Sequence, residues 1–377
     1  MARRSGGRRG RKIRYAVVGL GYISQAAVLP AFAHARRNSQ LTALVSDDPQ
    51  KREELSKRYG VELVYDYDRY DECLASGEVD AVYIALPNHM HRDFAVRAAE
   101  AGKHILCEKP LAVTEEECDD MIQATERWGV RLMTAYRLHF DRANLEAIEI
   151  VRSGKLGEAR VFDSVFTMQV KDEDNIRLNP PHQGGGPVYD IGIYCINAAR
   201  YLFRAEPSEV FAWTASLGDP RFAETPEVAS AILRFPVERI AAFTCSFNGA
   251  DAGWYQVVGT KGDLRVDPAY EYAEPRKHQL TVDGKTTRKT FPKRDQFAPE
   301  LLYFSDCVLK NRQPEPSGRE GLADIRIIRA IHESARTGRP VTLPDFERRH
   351  RPTLEMAKDE PPVEMPELVN AESPGGE

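Results

Sequence analysis

The sequence predicts an α/β protein in two parts: a doubly wound parallel sheet, then an α+β unit built on a largely antiparallel, open sheet. Three observations carry this. Up to Ala135, short β-branched or aromatic runs alternate with helical segments, as in a parallel sheet covered on both faces. Beyond Tyr136, strand-like runs follow one another with fewer helices between them, and turn signals such as Lys261-Gly262-Asp263 and Asp283-Gly284 separate them. The length of 377 residues, finally, is more than one ordinary core accommodates. The expected division is a basic arm over residues 1–12, a first domain over 13–135, a second over 136–344 and a tail over 345–377.

The first strand lies in residues 13–21, IRYAVVGLG, where Tyr15, Val17 and Val18 suit burial on both faces. Residues 24–35 are Ala- and Leu-rich and read as a helix that Pro30 should kink. A strand, a Gly-x-Gly turn and a helix make the signature of a dinucleotide site. Gly19 turns sharply, Gly21 lets the backbone approach a pyrophosphate on the helix N-terminus, and Ser24 takes the third small position, usually glycine. Strands are then expected at 41–46, 63–65, 81–86, 104–107 and 131–135, and helices at 49–59, 89–101 and 114–128. Pro49 starts the first of these helices, Gly102 closes the second, and Thr114 with Glu117 forms a capping box for the third. In the second part, a helix over 140–152 precedes strands at 159–168, 209–216, 228–235, 240–247, 254–258 and 264–266. Helices at 187–202, after the glycine run 184–186, and at 297–310 and 318–337 complete it.

Composition excludes several classes. Hydrophobic content of 42% and charged content of 29% are those of a globular protein, and a net charge of −5 argues against a nucleic-acid binder. No stretch is long and apolar enough for a membrane span. The six cysteines are scattered without a CxxC pair, so neither a disulfide framework nor a metal site is expected, and a reducing cytoplasm fits best. The arm MARRSGGRRGRK reads as a solvated basic tail with no signal-peptide core, and residues 346–377, rich in Pro, Glu and Arg, read as a disordered tail.

Six motifs in order give the chain a likeness. They are VVGLG at 17–21, LPNHMH at 86–91, AGKHILCEKP at 101–110, TAYRLHF at 134–140, GGG with YDIGIY at 184–194, and ARTGRPV at 335–341. Over roughly residues 13–344 the sequence resembles the glucose–fructose oxidoreductase, inositol dehydrogenase and rhizopine-catabolism (Gfo/Idh/MocA) family, above all its glucose–fructose oxidoreductase branch. The resemblance implies a Rossmann domain, a C-terminal sheet domain and an NAD(P)-dependent oxidoreductase. It would move a hydride between the nicotinamide and C1, or a ring hydroxyl carbon, of an aldose or related cyclic polyol. The alternatives are an NAD-dependent glycosidase of the same superfamily and a non-catalytic NADP(H)-binding protein. A homodimer or homotetramer is expected, because an exposed sheet face is a liability in a monomer.

The resemblance puts Lys109 of the Glu-Lys-Pro motif near the nicotinamide, where a strand end also places charge at the ligand-binding edge of a parallel sheet. Asp190 and Tyr194 are four apart on one helix face, so carboxylate and phenol can meet one substrate hydroxyl. Tyr194 is expected to carry the hydroxyl proton, Lys109 to tune it, and Asp190 to orient the sugar or the lysine; many relatives carry His in place of Tyr194. Ser46 and Lys51 match NADP-binding positions, while Asp47 stands where it could repel a phosphate, so NADP(H) is favoured and NAD(H) remains an option. Gly19, Gly21, Tyr22, Ile23, Pro87, Asn88, His91, Glu108 and Arg137 complete the cofactor set. Tyr136 is a further cofactor or substrate contact, and Arg177 is expected at the sugar. No metal is required for hydride transfer.

Overall fold

The computed structural model describes residues 10–348 and 350–375, so most of the basic arm lies outside the described residues. The first sheet contains β1 (Ile13–Val18), β2 (Ser39–Val45), β3 (Leu63–Tyr65), β4 (Ala81–Ile84), β5 (His104–Glu108) and β6 (Leu132–Ala135). Its order is β3-β2-β1-β4-β5-β6, with every pair parallel. Tyr15, Ala16, Val17 and Val18 of β1 are wholly buried, as a central strand covered on both faces requires. The strand order reverses between β1 and β4, and that switch point opens a crevice at the carboxyl ends of the strands.

The first helix departs from the regular form expected of it. Ser24–Val28 is a π-turn that passes into Leu29–Ala31. Proline has no N–H to continue the α-ladder, and the wider turn just ahead of Pro30 absorbs that loss: the Leu29 N–H reaches back to the Ser24 carbonyl. The helix Pro49–Tyr59 and the capping box on Glu115–Arg127 form as expected. A short helix at Tyr70–Ala75 was not foreseen.

The second sheet is nine-stranded. It contains β7 (Ala159–Gln169), β8 (Glu209–Ala215), β9 (Val228–Phe235), β10 (Arg239–Ser246), β11 (Asn248–Gly259), β12 (Gly262–Val266), β13 (Arg276–Val282), β14 (Lys285–Phe291) and β15 (Val341–Thr342). The order is β14-β13-β12-β11-β7-β10-β9-β8-β15. All its named pairs are antiparallel except β7 with β10. One face of β7–β10 packs under the helix Ile193–Phe203, and β8 packs against the helix Gly318–Thr337. That long helix also presses on the first sheet, so closely that a Cβ on Gly321 would lie 2.8 Å from the Thr134 Oγ1 of β6.

A buried ionic network ties the helix Ile193–Phe203 to the helix Gly318–Thr337. Arg200, fully buried in an otherwise apolar helix, donates to Glu320 at 2.6 Å, Asp324 at 2.7 Å and Glu206 at 2.6 Å. Tyr201 donates to Glu320, while Tyr136 and Asn197 donate to Asp324. So satisfied, the charges tolerate a dry site that would otherwise expel them.

In place of the disordered tail read from composition, residues 346–348 and 350–375 run along the body. Arg348 pairs with Glu315 and Glu320, Arg351 with Glu206 and Arg142 with Asp359. Asp295 bridges Glu360 in a short antiparallel contact, and Val369, 4% exposed, joins the core beside the first helix. Composition missed this because a few spaced anchors hold the segment, with no periodic apolar face.

Candidate active site

The Gly-x-Gly turn has the geometry that its residues imply. Gly19 adopts φ +90°, and a Cβ there would lie 2.4 Å from the Ala85 carbonyl oxygen at the end of β4. A larger residue would strain the backbone and separate the strands at the switch point. Ser24 stands in for the usual third glycine without cost, since it is buried and its Oγ donates to the Gly19 carbonyl at 2.5 Å. At Gly21 a Cβ would meet nothing within 4 Å, which leaves open space at the start of the first helix.

Gly21, Tyr22 and Ile23 line a cavity of about 320 Å³ together with Pro87, Asn88, Glu108, Lys109, Arg137, Arg177, Asp190 and Tyr194. Eleven residues singled out from sequence thus face one space, drawn from six separate chain segments. At its centre the Lys109 Nζ donates to the Asp190 Oδ1 and to the Asp190 carbonyl, both at 2.8 Å. Arg177 Nε donates to the Asp190 Oδ2 at 2.6 Å. Burial disfavours the Asp190 carboxylate, but Arg177 and Lys109 more than offset it and hold its pKa well below the usual carboxylate range. Burial likewise opposes the Lys109 ammonium, yet the charges of Asp190 and Tyr194 raise its pKa. An ammonium has three donors, and Asp190 takes two. One is left for a ligand oxygen.

Tyr194 sits between two cations, with Lys109 Nζ 5.0 Å and Arg137 Cζ 4.9 Å from its ring centroid. Asp190 belongs to a π-turn, Val188–Gly192, that feeds the helix carrying Tyr194, and both side chains reach the cavity. The glycine run makes this entry: a Cβ on Gly185 would fall 1.8 Å from the Asn179 carbonyl oxygen, and Asn88 donates to the Gly184 carbonyl at 2.7 Å. Arg137 is itself fixed by Gln296 at 2.5 Å and the Tyr270 carbonyl at 2.6 Å.

Three expected residues take other places, and a fourth, Glu108, plays a supporting part. His91 is absent from the cavity lining and fully buried, with Nε2 2.9 Å from the Leu86 carbonyl and Nδ1 3.0 Å from the Pro110 carbonyl. It holds the loops after β4 and β5 together, which positions Pro87 and Lys109, and burial lowers its pKa. Tyr136 also turns away, toward Asp324 in the junction network. Glu108 lines the cavity, but its oxygens accept from Tyr83 at 2.8 Å and from the Lys109 N–H at 3.2 Å, so it supports the lysine's backbone. Burial raises its pKa. Gly19 shapes the turn from beneath.

Ser46 and Lys51 lie apart from the cavity, at the end of β2. Ser46 is buried, and its carbonyl accepts from Arg52. The two neighbouring carboxylates are committed elsewhere: Asp47 accepts the Tyr67 N–H at 2.9 Å, and Asp48 caps the helix Pro49–Tyr59 by accepting from Gln50 and Lys51. Asp47 is therefore occupied by backbone where sequence reading had it facing a phosphate.

Sequence reading missed Tyr272, Glu271, Phe166, Met168 and Pro374, which also line the cavity. Tyr272 stacks on Arg137 at 5.4 Å, and its hydroxyl lies 3.3 Å from that of Tyr22, so it bridges the sheet half and the dinucleotide turn. The run Tyr270-Glu271-Tyr272 after Pro268 was a visible aromatic cluster in a loop. All six cysteines are free and buried. Among the described residues no His/Cys/Asp/Glu group has metal-site geometry, and no helix is long and apolar enough to cross a membrane.

Comparison with known proteins agrees with this architecture. A family model described as an oxidoreductase family with an NAD-binding Rossmann fold matches residues 13–136, and the GFO/IDH/MocA C-terminal domain model matches 144–265. The chain is 34% identical over 337 residues to a D-xylose 1-dehydrogenase [NADP(+)] of Haloarcula marismortui, covering 88% of this chain and 93% of that one. It is 32% identical over 332 residues to D-xylose 1-dehydrogenase (NADP(+)) 2 of Haloferax volcanii, covering 87% and 99%. The crystal structure of an aldose-aldose oxidoreductase from Caulobacter crescentus, complexed with glycerol, superposes with a TM-score of 0.83 at 38% identity, over 88% of this chain and all of that one. With both of its sheets and both domain models accounted for, the chain belongs to the Gfo/Idh/MocA family of oxidoreductases.

Proposed function

We propose that the chain is an NADP(H)-dependent sugar oxidoreductase that transfers a hydride between the nicotinamide and C1, or a ring hydroxyl carbon, of an aldose or related cyclic polyol. The observation that carries this reading is the meeting of Lys109, Asp190, Arg177 and Tyr194 in a cavity that opens onto the Gly21–Tyr22–Ile23 turn. The chain's own residues fit a dinucleotide. Open space at Gly21 lies at a helix start, and Ser46, Lys51 and Arg52 stand at the end of β2 with Asp47 and Asp48 already engaged. Lys51 and Arg52 at this end offer cations to the 2′-phosphate of NADP(H), and the two dehydrogenases that the chain resembles are NADP(+) enzymes by name.

The bound dinucleotide supplies or takes up the hydride. Tyr194 exchanges the hydroxyl proton with the reacting sugar oxygen, accepting it in oxidation and returning it in reduction. Lys109 directs its remaining N–H at that oxygen, and Asp190 holds the ammonium in place through two contacts. Arg177 shares Asp190 and faces the sugar. A second copy of the chain covers the outer face of the second sheet, where Val161, Trp213, Ile232, Ile240 and Val258 are exposed on neighbouring strands.

The test is formation of reduced cofactor from NADP+ or NAD+ with a panel of aldoses and cyclic polyols. Oxidation with NADP+ is expected, and Tyr194→Phe should lower kcat by about 10²–10⁴-fold while NADPH still binds. No reduction of cofactor with any sugar, or an undiminished kcat in the variant, would refute the reading.

A further inference from the structure

The C-terminal segment makes contacts that the junction network does not explain. Having crossed Asp295 at Glu360, it reaches the helix Pro49–Tyr59, whose Arg58 donates to the Glu367 carbonyl at 2.5 Å. Val369 then exchanges two hydrogen bonds with the buried Gln25 side chain: its N–H donates to Oε1 and its carbonyl accepts from Nε2, both at 2.8 Å. Gln25 Nε2 also donates to the Leu20 carbonyl, inside the dinucleotide turn, at 2.9 Å. One residue on, Asn370 adopts φ +45° and its amide donates to Asp48 Oδ2 and Gln50 Oε1, both at 3.0 Å. Those acceptors stand at the end of β2, where the adenosine ribose is read. The Pro374 carbonyl then accepts the Lys171 N–H at 3.1 Å, and Pro374 lines the catalytic cavity beside Tyr22.

Asn370 and Pro374 are four residue steps apart, so this stretch spans at most roughly 14 Å. Within that reach it goes from the adenosine end of the crevice to the nicotinamide mouth, across the helix start that takes a pyrophosphate. We propose that residues 367–375 form a strap over the cofactor crevice that slows release of NADP(H), with Asn370 as a positioning residue that acts through Asp48 and Gln50. This rests on the cofactor reading above. The strap has two kinds of hold. Val369 is packed into the core at 4% exposure, whereas the Asn370 amide contacts are exposed and can open with little loss of buried area. A strap hinged on Val369 and latched by Asn370 can lift for exchange without unfolding the domain beneath.

The test compares NADPH dissociation from the full chain, from Asn370→Ala and from a chain ending at Glu367, by stopped-flow fluorescence with excess NADP+ as displacing ligand. Native mass spectrometry of each freshly purified protein reports retained cofactor. The expected order of release is full chain slowest, Asn370→Ala several-fold faster and the shortened chain fastest, by about tenfold or more, with retained cofactor falling in the same order. Asn370→Ala removes exposed hydrogen bonds and adds the local strain of alanine at φ +45° but deletes no core contact, so it separates latch from fold if the shortened chain is unstable. Equal release from the full chain and Asn370→Ala refutes the latch, and equal release from all three refutes the strap while leaving the cofactor reading intact. Failure of the full chain to bind NADPH refutes the cofactor reading, and the strap with it.

Discussion

Replacing Asp190 by Asn tests the electrostatic centre of the site while keeping its shape. The Asp190 carboxylate is shared by Lys109 at 2.8 Å and Arg177 at 2.6 Å, with side-chain exposures of 18% for Asp190, 13% for Lys109 and 22% for Arg177. Losing the charge leaves two poorly solvated cations without their partner, and breaking a buried pair from one side costs about 3–5 kcal/mol. Partial exposure moves the expectation to the lower end, about 3 kcal/mol at neutral pH. The pH dependence carries more information. The folded pKa of Asp190 lies below its unfolded value, so its stabilisation is present above the ordinary carboxylate range and is lost as pH falls through the folded value. The folded pKa of Lys109 is raised, so its stabilisation is present below the ordinary lysine value and is lost as pH rises through the folded one. In Asp190→Asn the burial of Lys109 persists without its principal counter-charge, and the alkaline limb of both stability and kcat/KM should move toward neutral pH. Urea unfolding at several pH values, read beside a pH–rate profile, measures both. A variant as stable as the parent at pH 7, with its alkaline limb unmoved, would show that the ion pair does not govern the lysine.

Two further expectations concern the cofactor and the assembly. Lys51→Ala should weaken NADP(H) far more than NAD(H), by roughly 10–100-fold for the loss of one charge-assisted contact; equal losses in parallel titrations would remove Lys51 from the phosphate site. Trp213→Asp, which places a charge where a 60% exposed indole now stands on the outer sheet face, should shift the protein toward monomer in native mass spectra. A parent protein that is already monomeric under the same conditions would exclude that face as an interface.

What sequence reading could reach depended on how far apart the cooperating residues lie. The dinucleotide turn was legible because strand, glycines and helix occupy one short stretch, and each constrains its neighbour through local backbone geometry. Asp190 and Tyr194 were legible for the same reason, as residues on one helical face. Lys109 needed a family motif, since a lysine after a strand is ordinarily only a surface charge. His91 sits in the same loop region, yet two backbone carbonyl contacts fix it below the cavity, and no sequence pattern separates a histidine that braces a loop from one that faces a ligand. β14, with Lys285 through Thr290 exposed, escaped notice because an edge strand with little to bury shows no alternation.

The tail is the instructive failure. Composition averages over a window, and in a window dominated by Pro and Glu a single core residue such as Val369 disappears. Yet Arg348 and Arg351 meet carboxylates of the junction network, and each of those carboxylates already serves Arg200. The buried arginine in the middle of an apolar helix was thus the visible sign that acidic partners must converge on it from far along the chain. Those partners carry surplus acceptor capacity that a passing basic segment can use. The segment that starts on Glu315, Glu320 and Glu206 is anchored a second time near its far end, where Val369 and Asn370 reach Gln25 and Asp48. The buried charge network and the proposed strap over the cofactor crevice are, on this geometry, two ends of one piece of chain.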